Sequence, residues 1–209
     1  MKNSIIQIVN NEEGFYDGNL KEYFRIIFRA PNVCNPYHNF RHMAHVMCAV
    51  YEGGKYENLD KNEMRILLIA AMFHDYGHSS HTECDLTEIN VAIEALKKYI
   101  LPVDSANFDH IKNYIHATTW PHLNDIYLSE SMKILRDADL SQILSTSWMQ
   151  QNIHGLATEM NVSVEDFLRG ELNYLSNLQF GSNWGKEILQ PKVPERLNEV
   201  KEFVKILWE

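Results

Sequence analysis

The feature that most constrains the fold is an uninterrupted apolar run near the middle of the chain, ILLIAAMF at residues 66–73. A helix on the surface of a globular protein has one polar face, and this run has none. Asp60 followed by Glu63 resembles a capping box, which predicts that a helix begins there and continues through the run. A helix that is apolar on every side must be surrounded by other elements. We therefore predict that it lies at the centre of a helical bundle.

The rest of the chain also has mainly helical periodicity, and we find no alternating strand pattern and no internal repeat. We predict an all-α fold, a single irregular bundle of about eight or nine helices that forms one domain over residues 1–209. The predicted helices cover residues 20–30, 40–51, 88–100 and 105–118, and further helices start at Ser129, at Ser163 and near Pro194. Gly53 and Gly54 are expected to stop the second helix, and Thr87 and Ser105 to cap the third and fourth. Residues 76–86 and 120–127 are predicted to be irregular.

Composition narrows the class of protein. The formal net charge of −9 argues against a general binder of nucleic-acid phosphates. The three cysteines form no CxxC pair, which suits a reducing compartment. We find no signal peptide and no apolar stretch of membrane-spanning length, and interpret the chain as a cytoplasmic protein without a membrane partner. The oligomeric state is left open.

Nine of the ten histidines lie between His38 and His122, and two clusters stand out. In NPYHNFRHMAHV, the histidines at 38, 42 and 45 are spaced i, i+4, i+7 and would share one side of a helix. The apolar helix ends in FHDYGH, which brings His74 and Asp75 to the end of a buried element. Burying such groups unpaired costs several kcal/mol. A divalent metal ion would account for them.

The residue types suit phosphoester chemistry. Imidazole and carboxylate ligands together fit Zn, Fe, Mn or Ni, and a bridging carboxylate fits a second, harder ion such as Mg or Mn. One or two such ions would hold a water as hydroxide and bind a phosphoryl oxygen, as phosphoester hydrolysis requires. A fourth ligand is expected from LRDADLSQ, where Asp137 and Asp139 lie about 200° apart on a helix. Helical spacing alone leaves both aspartates open.

These motifs resemble those of a known family. A histidine, then a His-Asp pair, then a late aspartate is similar to the ligand set of the HD superfamily of metal-dependent phosphohydrolases, which are helical. PYHNFRHMAHV resembles the YHNxxHAxDV motif of cyclic nucleotide phosphodiesterase catalytic domains. LLIAAMFHDYGHSS resembles their HDxxHPG motif, and ADLS is similar to the segment around their last metal-binding aspartate. The resemblance covers about residues 37–141, which would form the core of the metal site.

The resemblance implies a role for each matching residue. His42, His74, Asp75 and Asp139 would bind the tighter metal, with Asp75 bridging to a second one. His38 would be the general acid that protonates the leaving oxygen, a task suited to imidazole. His78 would orient waters of the second metal. The ADLS match favours Asp139 over Asp137, which remains a candidate for an additional or supporting role.

Some positions depart from the pattern or have more than one interpretation. His45 replaces the aspartate of YHNxxHAxDV and is either a packing group or part of the site rim; HPG has become HSS. His116 or His122 could complete a further metal site, as in some HD proteins. Glu88 either stabilises a helix start or lies near the second metal. Gln179, with Phe180 and Trp184 nearby, is a candidate for contacting a base, although no motif anchors it, and no substrate-binding residue is otherwise identified.

We therefore expect an enzyme, an HD-domain phosphohydrolase that cleaves a small nucleotide-like phosphoester with a metal-bound hydroxide. A cyclic nucleotide phosphodiesterase competes with a nucleotidase or nucleoside triphosphate hydrolase of the same superfamily. The alternative from another class is a non-catalytic sensor module that binds metal or a nucleotide. The motifs of serine hydrolases, P-loop proteins and dinucleotide-binding folds are absent from the sequence.

Overall fold

A computed structural model describes residues 4–80, 85–119 and 128–208, and within them the fold is helical with no β-strand. The α-helices are α1 (Ile5–Asn10), α2 (Lys21–Phe28), α3 (Phe40–Tyr56), α4 (Lys61–Phe73), α5 (Asp85–Tyr99), α6 (Phe108–Ala117), α7 (Glu130–Leu140), the short α8 (Ala157–Glu159), α9 (Val164–Asn177) and α10 (Val193–Trp208). Short 3-10 and π-helical segments connect several of them. The all-α prediction is confirmed, with ten α-helices in the described residues where eight or nine were expected.

Helix α4 occupies the centre, as its composition predicts. Every residue from Met64 to Phe73 is buried. The helix packs against α2, α3, α5, α6 and α7, so that no face is left for solvent. Because the buried helix ends at Phe73, its continuation carries His74 and Asp75 into the interior of the bundle.

Helix α3 runs one turn further than predicted. It includes Gly53 and Gly54 and ends at Tyr56, so the glycines do not stop it. A Cβ on Gly53 would lie 2.7 Å from Ile134 Cγ2 and 2.9 Å from a ring atom of Trp184. These glycines therefore serve close packing between α3 and its neighbours, and their helix-stopping tendency is overridden by that packing.

Most of the predicted helix starts are confirmed. The side chains of Asp60, Ser129 and Ser163 each accept a hydrogen bond from a backbone N–H in the first turn of α4, α7 and α9. Two predicted caps are wrong. Helix α5 already begins at Asp85, before Thr87, and Ser105 lies in a 3-10 turn, Pro102–Asn107, that precedes α6.

The 3-10 turn explains the second error. Pro102 starts it, and the Ser105 hydroxyl donates to the Pro102 carbonyl and so does not cap α6. The predicted irregular segment at 120–127 lies outside the described residues, as do residues 81–84 of the other one. None of the described helices is long and apolar enough to cross a membrane.

Candidate metal centre

Helix α3 begins beside the first histidine motif. Asn39 is its N-cap, since the side-chain oxygen accepts from the backbone N–H groups of Arg41 and His42. His38 therefore lies just before the helix, and His42 lies in its first turn. His42 is fully buried and faces the end of α4.

Four side chains, from α3, from the turn after α4 and from α7, converge at one point. The ligand atoms of His42, His74, Asp75 and Asp139 all lie within 4.8 Å of one another. His42 Nε2 is 2.9 Å from Asp139 Oδ1 and 3.2 Å from Asp75 Oδ2. His74 Nε2 is 3.1 Å from Asp75 Oδ2 and 3.3 Å from His42 Nε2. The fold thus brings together the four residues that the sequence analysis selected as a ligand set.

Hydrogen bonds on the far side of each imidazole set its orientation. His42 Nδ1–H donates to Gln142 Oε1 at 2.6 Å, and His74 Nδ1–H donates to the Ala71 carbonyl at 2.8 Å. When Nδ1 carries the proton of a neutral imidazole, Nε2 presents its lone pair. Both rings therefore direct a lone pair into the cluster. Such outward hydrogen bonds are typical of histidines that bind metals.

The acid–base properties of the cluster show strong coupling. Burial by itself lowers the pKa of His42, but its bonds to Asp139 and Asp75 outweigh burial and raise that pKa to about 9. Burial also lowers the pKa of His74, but Asp75 and Asp139 outweigh it and raise that pKa well above its ordinary value. In the reverse direction, burial would raise the pKa of both carboxyls, yet the two histidines hold it well below the usual range. The carboxylates are ionised and attract positive charge.

This chemistry fits a divalent cation. Without a metal, the raised pKa values keep the two imidazoles protonated toward the carboxylates; a divalent cation would displace these protons, and all four inward atoms would then be lone-pair donors to it. Asp75 Oδ2 is buried and accepts no hydrogen bond from the described part of the chain. Two carboxylates and two neutral imidazoles carry a net charge of −2, which one divalent ion balances. Nitrogen and oxygen donors together suit Zn, Fe, Mn or Ni.

A second group lies beside the first and contains His38, His78 and Glu159. His38 Nδ1–H donates to Glu159 Oε1, and the backbone N–H groups of Tyr37 and His38 donate to Oε2 of the same carboxylate. Burial would raise the pKa of Glu159, but its bond with His38 lowers it to about 2. The ionised carboxylate fixes the orientation of the His38 ring through Nδ1.

His78 stacks on His38, with ring centroids 4.0 Å apart and an interplanar angle of 18°. Its Nδ1 accepts from the Ser80 backbone N–H, so the neutral ring carries its proton on Nε2. Burial, with the nearby His38, lowers the pKa of His78. His78 therefore contacts the pair of His38 and Glu159, while the four-residue cluster contains no ligand atom from it.

Asn32 links the two histidine motifs. Its side-chain amide donates to the carbonyls of His38 and Asp75, both at 2.8 Å, and its oxygen accepts from the Gly77 N–H. Gly77 has φ +79°, a conformation that suits glycine. This buried asparagine fixes the chain before α3 against the turn after α4.

Three other predicted candidates contribute no ligand atom to the cluster. Asp137 accepts from the Gly181 and Ser182 N–H groups, both at 2.8 Å, and so anchors the chain after α9. Glu88 accepts from the Ser79 backbone N–H at 3.0 Å and stabilises the turn that follows His78. His116 is half-buried in the last turn of α6 and belongs to neither group of ligand atoms that the described residues form. His122 lies outside the described residues.

The structure also gives the positions of the remaining candidates, His45 and the segment around Gln179. His45 Nε2–H donates to Ser141 Oγ, and burial lowers the pKa of His45 to about 4; it lines a pocket of about 660 Å³ between α3 and the chain near Trp184. Gln179 is exposed, whereas Phe180 and Trp184 are buried in the core. Trp184 also lines that pocket, whereas Gln179 and Phe180 do not.

Sequence reasoning missed Glu159, Gln142 and Asn32. Glu159 is 121 residues from His38, in a segment with no recognisable motif. Gln142 could have been found, because it follows Asp139 by three residues and so lies on the same side of a helical turn. Asn32 gives no signal, since a buried asparagine in a loop resembles any turn residue.

Comparison of this chain with protein-family models, curated proteins and solved structures finds no match. The arrangement of the site must therefore be interpreted from its own geometry and from the motifs that the sequence contains.

Proposed function

We propose that this protein is a metal-dependent phosphohydrolase that acts on a small nucleotide-like phosphoester. The observation that carries the proposal is the cluster of His42, His74, Asp75 and Asp139, whose inward atoms can all bind a cation and lie within 4.8 Å of one another. A histidine paired with a carboxylate lies directly beside it. A cation site next to a proton donor is the combination that phosphoester hydrolysis needs.

The four residues would hold a divalent cation, and Asp75 would extend toward a second one, as the motif resemblance implies. When bound, such ions supply Lewis-acid activation of water and neutralise charge on phosphoryl oxygens. Gln142 and the Ala71 carbonyl keep the imidazoles turned toward the ion. Tyr37, whose ring centroid is 4.7 Å from that of His42, covers one side of the cluster and limits access of water.

His38 would protonate the leaving oxygen. Glu159 accepts its Nδ1–H, so Nε2 is the atom that transfers the proton. The neighbouring Asp75 carboxylate interacts electrostatically with His38, which supports a position close to the reacting phosphate. His78 packs flat against the ring and restricts its rotation.

The motif resemblance favours cleavage of a cyclic nucleotide, and the broader superfamily favours a nucleotidase or a nucleoside triphosphate hydrolase. The products separate these activities. A phosphodiesterase opens a cyclic diester to a monoester, whereas a nucleotidase releases inorganic phosphate.

A phosphorus NMR screen tests the proposal. The purified chain, supplied with Mg or Zn, is incubated with cyclic nucleotides, nucleoside mono- and triphosphates and simple phosphodiesters. We expect turnover of at least one class and none after chelation. A protein that retains metal but hydrolyses none of them would contradict the enzyme and favour a sensor, in which a bound nucleotide raises the melting temperature without being consumed.

The role of His38 is tested separately. We expect His38→Ala to lower kcat by about 10²–10⁴-fold while metal content stays at the wild-type level. The loss should shrink for a substrate with a good leaving group, such as a nitrophenyl ester, because its oxygen needs no proton. Equal losses for good and poor leaving groups would exclude His38 as the acid.

A further inference from the structure

Helix α9 carries a buried acid with an unexplained oxygen. Glu171 Oε2 is buried and accepts no hydrogen bond within the part of the chain that the structure describes. The same is true of Gln151 Oε1 and Asn152 Oδ1, in the π-helical segment Met149–Leu156 that packs against α9. A buried acceptor that is left unpaired destabilises the fold. The Glu171 oxygen therefore needs a donor that the described residues do not supply.

Glu171 interacts electrostatically with two tyrosines, and both tyrosines interact with Asp139 of the metal cluster. The buried phenol of Tyr37 interacts electrostatically with Asp139 and Asp75, and also with Tyr174 and Glu171. Tyr174 in turn interacts with both Glu171 and Asp139. Tyr37 also contacts His38, with ring centroids 4.8 Å apart. Glu171 and Tyr174 of α9 thus lie within electrostatic range of Tyr37, which packs on the cluster.

We propose that Glu171, together with Tyr37 and Tyr174, binds the organic part of the phosphoester, and that this part carries O–H or N–H donors, as sugar hydroxyls and base amines do. The proposal rests on the proposed function and deepens it by naming the chemistry of substrate recognition. The carboxylate accepts from the donor, while the tyrosine rings supply apolar contact to a sugar or a base.

A purely structural role does not account for Glu171. Where this protein uses a buried carboxylate for stability, it surrounds it with donors, as it does Asp104 with Arg65 and Tyr23. Among the described residues no cationic side chain forms an ion pair with Glu171, and burial raises its pKa to about 7. Ionisation of Glu171 in that environment lowers the stability of the folded protein. A ligand that donates a hydrogen bond to the carboxylate would restore this stability.

The test measures binding of phosphate-free nucleosides, which needs no turnover. Adenosine and guanosine are titrated into the full-length, Mg-loaded protein by calorimetry, with 9-methylpurine as a ring that has no O–H or N–H donor. We expect the nucleosides to bind the wild type more tightly than 9-methylpurine. Glu171→Leu should weaken nucleoside binding about 10-fold or more, because a hydrogen bond to an ionised group is lost. Glu171→Gln, whose amide oxygen still accepts, should stay within a few-fold of the wild type.

The control is Glu165→Gln, at an exposed position of the same helix, which should leave affinity unchanged. Circular dichroism and metal content verify that each variant is folded. On any phosphoester that the enzyme turns over, Glu171→Leu should raise KM much more than it lowers kcat.

Wild-type affinity in Glu171→Leu, or equal binding of adenosine and 9-methylpurine, would overturn the inference. So would the failure of every nucleoside to bind a protein that hydrolyses phosphoesters, and in that case the proposed function would stand. Nucleoside binding that depends on Glu171, without turnover of any phosphoester, would support the recognition site and contradict the proposed hydrolase.

Discussion

Two buried ionic clusters in this bundle differ in how their hydrogen-bond donors and acceptors are matched. In the first, Arg65 donates to both oxygens of Asp104 at 2.6 and 2.8 Å, and the Tyr23 hydroxyl donates to the same carboxylate at 2.8 Å. A further N–H of Arg65 donates to the Asp17 carbonyl. Donors and acceptors in this cluster match one another without any outside group.

In the second cluster, His42, His74, Asp75 and Asp139, imidazole Nε2 atoms and carboxylate oxygens face one another, so a proton or a cation must lie between them. Its N–H groups point outward, to Gln142 and to the Ala71 carbonyl, and Asp75 Oδ2 accepts no hydrogen bond from the residues that the structure describes. A cluster that satisfies itself contributes to stability, whereas one that does not requires a ligand. The following predictions test this difference.

The largest effect is expected for Asp75→Ala. Removing the carboxylate whose oxygen contacts both imidazoles should abolish metal retention and reduce hydrolysis to background. Metal analysis after gel filtration and an activity assay measure the two losses. The matched control, Asp109→Ala on the exposed side of α6, should change neither. Full metal content in the Asp75 variant would contradict the assignment of the cluster.

In the self-satisfied cluster, Asp104→Ala should lower the free energy of unfolding by about 3–5 kcal/mol, because it leaves the buried Arg65 guanidinium unpaired. Denaturant titration measures this loss. Metal stoichiometry per folded molecule should remain that of the wild type. Loss of metal from a folded Asp104 variant would show that the two clusters are not independent.

Glu171 provides a pH-dependent test of an unpaired acid. Burial raises its pKa from 4.5 to about 7 in the folded chain, so the folded state binds more protons than the unfolded state between these values. Its contribution to stability therefore falls as pH rises from about 4.5 to about 7, by up to about 3 kcal/mol. Relative to the wild type, Glu171→Gln should gain stability between pH 5 and pH 8. A difference that stays constant across this range would mean that the acid is not buried in solution.

The smallest effect is expected for Gln142→Ala, which removes the acceptor of His42 Nδ1–H but no inward atom. Metal affinity should fall about 10–100-fold, since the ring is no longer held in one orientation. Competition with a chelator measures the change. Gln150→Ala, at an exposed position nearby, is the control and should retain wild-type affinity.

Local pattern determined a large part of this protein. The apolar run at residues 66–73 was sufficient to predict a central helix, because a helix with no polar face cannot lie on a surface. Asp60, Ser129 and Ser163 predicted helix starts correctly, since a cap is formed within four residues. The motifs around His42 and His74 likewise selected the residues that meet at the cluster.

Tertiary structure decided what spacing left open. Helical spacing could not choose between Asp137 and Asp139, and packing turned Asp137 toward Gly181 and Ser182 and left Asp139 at the cluster. Packing also extended α3 through Gly53, because only a residue without a side chain fits against Ile134 and Trp184 at that point.

Only the fold brought Glu159 beside His38 and Glu171 within electrostatic range of Tyr37. Both come from the last third of the chain, where no motif marks them. Local sequence determines where a helix begins and which of its faces is apolar. Which distant side chain contacts a given face is decided by the packing of the whole bundle.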